Sequence, residues 1–374
     1  MTYEALVDDL QAVTIWTCSR YGIGIIDCKD IRKGFSYYQE IGDTEKYKLE
    51  NVTDLCTDGR GNIWIQTVNK GLCHINTRKN RFGRTQIIPD GVISNRIKST
   101  FSADGKLFWL TLAPSGVALF NRATGRVDIN AQIGAFASLP YDVLNTHNSS
   151  MASPAKGELW FANNGHGIVI VKNGKAEVKN QSNCPYVKDN YVKALLYSRR
   201  GIMFIGERHH LNYRLPSGQC FTVGKDLDVC SISEDHNGSI WVATENAGII
   251  RMEGDFSHPR NINYTYFNPQ NGNYPVNDAI YCKEDSRHRM WSISNSGGLF
   301  LLENGKFNCF NDELHWGIDR IFSILEDSRQ RLWLTTDNAL VCLTYRGNEQ
   351  THYSFYTREN GLGRKQPGGT GAWH

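Results

Sequence analysis

A phrase of about forty-five residues recurs along this chain, and that recurrence limits the possible folds more than any other feature. Four copies are sharp: 52–67 around Trp64, 229–244 around Trp241, 279–294 around Trp291 and 321–336 around Trp333. In each, an aspartate (Asp58, Asp235, Asp285, Asp327) precedes the tryptophan by six residues. Weaker copies centre on Trp16, Trp109, Trp160 and Phe204. Such a period suits a four-stranded propeller blade and is too long for leucine-rich or ankyrin repeats.

Each copy punctuates itself in the same way. An apolar run reads as an inner strand buried on both faces, and an Asp-x-x-Gly segment turns the chain. The Trp then lies on a second strand, where its ring can wedge between blades and its indole N–H needs a partner. A third strand and a more polar fourth close the blade. His288 and Gln330 stand where the turn glycine belongs, so those turns are expected to be strained or differently shaped. Eight anchors predict an all-β, β-propeller fold of four-stranded antiparallel blades, about eight in number with seven as the alternative. Residues 1–358 read as one propeller, and 359–374 as a Gly-rich tail that opens like a further repeat.

Composition narrows the function. The net charge is +3 with Lys and Arg scattered, so no basic stripe marks a nucleic-acid binder. No run of eighteen apolar residues spans a membrane, and the acidic start differs from a signal peptide. The ten cysteines form no CxxC pair or zinc spacing and read as small buried hydrophobes.

The phrases 231–244 and 323–336, with the linkers 89–95 and 355–362, resemble the two-component-regulator propeller repeats of periplasmic sensor regions in Bacteroides-type hybrid histidine kinases. The resemblance implies an extracytoplasmic sensor that recognises oligosaccharide or glycan fragments and pairs as a homodimer through its parent sensor. It also implies further propeller repeats, a membrane helix and a kinase, against which this chain reads as a fragment.

No catalytic set, cofactor or metal site stands out. The repeat Asp residues are turn formers, and Glu234, Glu284 and Glu326 beside them read as solvated. His209 and His210 are adjacent, so on a strand they face apart and cannot share a metal. Ligand contacts are expected instead from loops at one mouth of the channel. The turns between second and third strands supply Arg20, Tyr21, Asn69, Lys70, Asn164, His166, Arg208, His209, Asn246, Asn295 and Asn338. Blade connections supply Arg96, Tyr141, Tyr186, Tyr191, Tyr274, His315 and Trp316. Aromatic faces for pyranose C–H surfaces beside amide and guanidinium donors are what a sugar site requires. A lyase using His166, Arg208, His315 and Arg320, and a protein-binding scaffold, are the alternatives.

Overall fold

In the computed structural model, side chains are described between 106 and 356, apart from 112–115, 130–132, 311–317, 319, 337–338, 346 and 348–350. Outside that span only strand backbones and the exposure of Gln66 are described. The chain divides into two compact units, Met1–Arg84 with Thr357–Gly363, and Thr85–Tyr356 with Arg364–His374. The first unit holds an antiparallel four-stranded sheet over 5–38, a two-stranded sheet over 40–48 and a three-stranded sheet over 52–76.

The second unit is a propeller. Its sheets cover 96–129, 148–179, 192–225, 229–267, 279–309 and 321–356, each with four antiparallel strands in chain order. Inner strands lie side by side in sequence from Arg96–Phe101 to Ala279–Glu284, and Ile321–Glu326 packs against Met290–Ser294. The two-residue strand Ala372–Trp373 pairs in parallel with Arg96–Phe101 and also lies beside Ile321–Glu326. That strand links the last sheet to the first and closes the ring. The expectation of about eight blades, or seven, is therefore corrected to six. The anchors count Trp-bearing hairpins rather than places in the ring, and the sheets anchored on Trp16 and Trp64 belong to the other unit.

Among the described residues there is no single central core. Apolar side chains collect between neighbouring blades, one cluster for each of the five successive pairs. Trp160, Trp241 and Trp291 each point into the cluster shared with the following blade, as the wedge reading expects. Trp241 stacks on Phe267 at 5.5 Å and Trp333 on Tyr356 at 5.6 Å. The described cysteines are unpaired, and Cys184, Cys282 and Cys342 are buried. Burial raises the Cys230 thiol to about 12, so it packs as an inert apolar group.

The six-residue spacing has a direct cause. Trp241, Trp291 and Trp333 donate their indole N–H to Asp235, Asp285 and Asp327 at 2.8, 2.8 and 2.9 Å. The other carboxylate oxygen of each Asp accepts two backbone N–H groups of its turn, as Asp235 does from Asn237 and Ser239. One side chain therefore shapes the turn and satisfies the buried indole. The Phe204 copy departs at both positions together: Ser198 replaces the Asp and accepts the Ile202 N–H at 3.1 Å, and there is no indole to serve.

Of the two alternatives for the His288 and Gln330 turns the strained one holds, and the reading of the neighbouring glutamates needs revision. His288 and Gln330 adopt φ of 63° and 60°, close to the 82° of Gly238, so all three turns share one shape. The non-glycine residues accept a left-handed backbone because the Asp network fixes it. The glutamates beside the turns are not solvated, since Glu234 and Glu284 expose only 8% and 11% of their side chains. Each reaches back to the turn of the preceding blade. Glu234 accepts the Arg199 N–H at 2.8 Å, and Glu284 accepts the His236 N–H at 2.6 Å. Glu326 accepts both the N–H and the hydroxyl of Ser286 at 2.7 and 2.6 Å. These clasps fasten blade to blade on the underside.

Candidate functional site

The opposite face is built by a second repeated device. The residue following each second strand donates its N–H to the residue preceding that blade's inner strand. The pairs are Asn164 to His147, Arg208 to Tyr191, Glu245 to Asp228 and Asn295 to Asp278, at 2.8–3.0 Å. Just inside each pair the inner strand carries a bulge, with register shifts between 148 and 150, 192 and 194, 229 and 231, and 279 and 281. Bulges re-aim side chains. Lys193, at one of them, reaches the next blade to pair with Asp228, and lies 3.5 Å from Glu245. Burial works to lower the Lys193 ammonium, but the bond to Asp228 and the nearby Cys230, Asp228 and Glu245 charges together outweigh it and the pKa is raised.

Two neighbouring blades meet at the rim through an antiparallel bridge between Asn164 and Tyr191. Gly165 and Gly167 both donate to the Asn190 carbonyl, at 3.0 and 2.8 Å, which ties the turn of one blade to the connection into the next. Tyr191 is 44% exposed, and the Arg208 guanidinium sits 5.4 Å from its ring centre. The Asn164 side-chain oxygen is buried and accepts no hydrogen bond. Amide, phenol and guanidinium thus converge from two blades.

Beneath this cluster, Glu207 is fully buried and accepts the N–H groups of Lys188 and Asp189 at 2.8 and 2.9 Å. Burial raises its carboxyl to about 7 against those two bonds. On the preceding blade, His166 bridges Asn163 and Asp142, 3.1 Å from each. Buried Asn163 bonds the Val143 carbonyl at 3.0 Å and Asn148 at 3.2 Å, holding the short helix Tyr141–Leu144 at the rim. The Val143 N–H and then His166 lower the Asp142 carboxyl.

The described members of the expected site fall into three groups. Asn164, His166, Tyr191, Arg208 and Tyr141 gather at this rim, with Tyr141 77% exposed. His209 is beside them, 4.0 Å from Asp189. Asn246 and Asn295 are exposed further round, where Asn246 accepts the Asp228 N–H and donates to the Asp226 carbonyl in the connection before its blade. Two tyrosines turn inward. Tyr186 stacks on Trp160 at 5.7 Å, and Tyr274 is buried with its hydroxyl 3.1 Å from Ser292. A connection that crosses a blade interface needs an apolar anchor, and these residues supply it. Arg20, Tyr21, Asn69, Lys70, His315, Trp316 and Asn338 lie outside the described residues, as does the side chain of Arg96. Arg320 is exposed, with its guanidinium 5.6 Å from the Phe322 ring.

Sequence reasoning missed Glu207, Asp142 and Lys193. Glu207 carries a legible signal, because a lone acid closing an otherwise apolar strand, Met203–Glu207, needs a reason to be there.

With this geometry in view, relatives can be compared. The two component regulator propeller family matches residues 224–246, from the approach to the inner strand through the Trp241 strand. No curated protein matches. The extracellular domain of a hybrid two component system from B. thetaiotaomicron is 18% identical, with a TM-score of 0.45 over 95% of this chain and 53% of that one. Virginiamycin B lyase from Staphylococcus aureus is 14% identical, with a TM-score of 0.54 over 71% of this chain and 85% of the lyase. PorZ, a surface component of the type-IX secretion system of Porphyromonas gingivalis, is 13% identical, with a TM-score of 0.51 over 88% of this chain and 50% of PorZ. At these identities the lyase and PorZ likenesses establish the propeller fold. The chain spans about half the length of the B. thetaiotaomicron domain.

Proposed function

We propose that this propeller is the ligand-binding input region of a two-component sensor in the periplasm, and that its rim takes oligosaccharide or glycan fragments. The regulator-type repeat around Trp241 supports the sensor role. One observation carries the site: Asn164 and Tyr191 are bridged across two blades, with Arg208 over the phenol ring. A half-exposed aromatic face offers stacking to sugar C–H groups. The neighbouring Arg208 guanidinium offers directional bonds to hydroxyls or a uronic carboxylate.

Glycan-array screening followed by calorimetry tests this reading. Tyr191→Ala and Arg208→Ala should each weaken the best oligosaccharide by roughly tenfold or more, the loss expected of a central contact. Flat responses to every oligosaccharide, with a protein retained in a pull-down, would replace the sugar reading with a scaffold. Release of unsaturated products from acidic polysaccharides would replace it with a lyase.

A further inference from the structure

The underside clasps share one geometry but differ in chemistry. Where blade 192–225 meets blade 229–267, Glu234 holds Arg199. Where blade 279–309 meets blade 321–356, Glu326 holds Ser286, and Arg287 bonds Gln330 at 3.1 and 2.9 Å. Neither interface gathers a set of metal donors. Between them, where blade 229–267 meets blade 279–309, the same positions carry His236, Glu284 and His288. Among the described residues this is the one group of His, Cys, Asp and Glu side chains whose donor atoms lie close enough to share an ion, all within 4.8 Å of one another.

We propose that His236, Glu284 and His288 bind a divalent transition-metal ion of the zinc class, which cross-links two adjacent blades. His236 Nδ1 lies 2.6 Å from Glu284 Oε1, and His288 Nδ1 lies 3.7 Å from the same oxygen. The two imidazole rings sit 3.9 Å apart between centres. Zinc bonds of about 2.0–2.2 Å in a tetrahedral site separate their donors by roughly 3.3–3.6 Å. The first pair must therefore open by about an ångström or slightly less, while the second lies within about 0.1 Å of that range. His236 and His288 are 42% and 58% exposed, so both rings have room for that adjustment and an ion can enter from solvent.

The carboxylate is also held as a metal ligand requires. Glu284 Oε2 accepts the His236 backbone N–H at 2.6 Å, which leaves Oε1 aimed at both imidazoles. His288 occupies the turn position that Gly238 fills one blade earlier, at a φ of 63°. A histidine there accepts backbone strain that glycine would avoid, and the strained backbone directs its ring onto His236. Two imidazoles and one carboxylate make a three-donor set with a fourth position for water.

The test uses the untagged chain. Calorimetric titration with ZnCl2 should show saturable uptake of one equivalent. Titration with CoCl2 should give the intense visible bands of a tetrahedral or five-coordinate site. Zinc should also raise the melting temperature, because an ion bound only by the folded state stabilises it by mass action. His288→Gly restores the repeat glycine, and His236→Ser reproduces the neighbouring Ser286 clasp. Both variants should fold and melt near the metal-free parent, bind zinc at least tenfold more weakly and lose the zinc-induced rise in melting temperature. Absence of saturable uptake by the parent, or uptake unchanged in both variants, overturns the site.

Discussion

At the residue scale, the repeat aspartates do the work of two groups. Asp285 is 2% exposed and receives the Trp291 indole, the Arg289 guanidinium and two turn N–H groups. Truncating one partner of such a buried charged network leaves the others unpaired, so Asp285→Ala should cost about 3–5 kcal/mol in a denaturant titration. Ser198 marks the control, since its turn serves Phe204 and carries no indole bond. Ser198→Ala should cost only about 1 kcal/mol, the scale of one neutral hydrogen bond. Glu207 behaves in the opposite sense to a salt-bridged acid. Burial raises it from 4.5 to about 7, so over that window the folded chain keeps a proton the unfolded chain has already lost. Stability contributed by this group therefore falls as pH rises from 4.5 to 7 and stays lower above it, by about 3 kcal/mol in all. Glu207→Gln should flatten that part of the pH–stability curve; an unchanged slope would assign it to other groups. The Asp–Trp spacing was legible because both partners lie in one hairpin, six residues apart. Glu207 was legible only as an acid closing an apolar strand; its partners were not, because they are backbone groups of a connection that the repeat does not define.

At the element scale, a blade is fastened on two faces by different means. On the underside, glutamates 234, 284 and 326 reach back to the preceding turn. On the rim, a bulged inner strand sends Lys193 forward to Asp228. Glu326→Ala removes two acceptors from Ser286, and each such bond to a charged group contributes about 1.5–3 kcal/mol. The variant should lower the unfolding free energy by about 3 kcal/mol, and combining it with Ser286→Ala should cost little more, since the two share one interaction. Fully additive losses would show that the clasp does not couple the blades. Strand order and turn position followed from the hydrophobic runs and the Asp-x-x-Gly punctuation. The clasps did not, because a glutamate next to a turn looks solvated until the neighbouring blade is in place. Tyr186 and Tyr274 follow the same logic in reverse: their connection sequences look like exposed loops, yet the interface behind Trp160 and Phe307 draws the rings inward.

At the scale of the whole ring, apolar clusters between successive blades stand in place of one core among the described residues, and this separates fastening from recognition. The apolar clusters lie between blades, the clasps close the underside, and the exposed Tyr191, Arg208 and Tyr141 stand on the other face. The blade number was the part of the architecture the sequence could not supply, because eight Trp and Phe anchors do not reveal that Ala372–Trp373 occupies the seam between the last sheet and the first. The separation itself has a measurable consequence. Tyr191 and Arg208 are solvent-facing and contribute little to any interblade cluster, so Tyr191→Ala should change stability by no more than about 1 kcal/mol. Effects at distant, unshared sites add within about 0.5 kcal/mol. The double variant Tyr191→Ala with Glu326→Ala should therefore lose the sum of the single losses in unfolding free energy. Its oligosaccharide affinity should match that of Tyr191→Ala alone. A non-additive result in either measurement would mean that strain passes across the blades from underside to rim, as a sensor that transmits occupancy through its propeller requires.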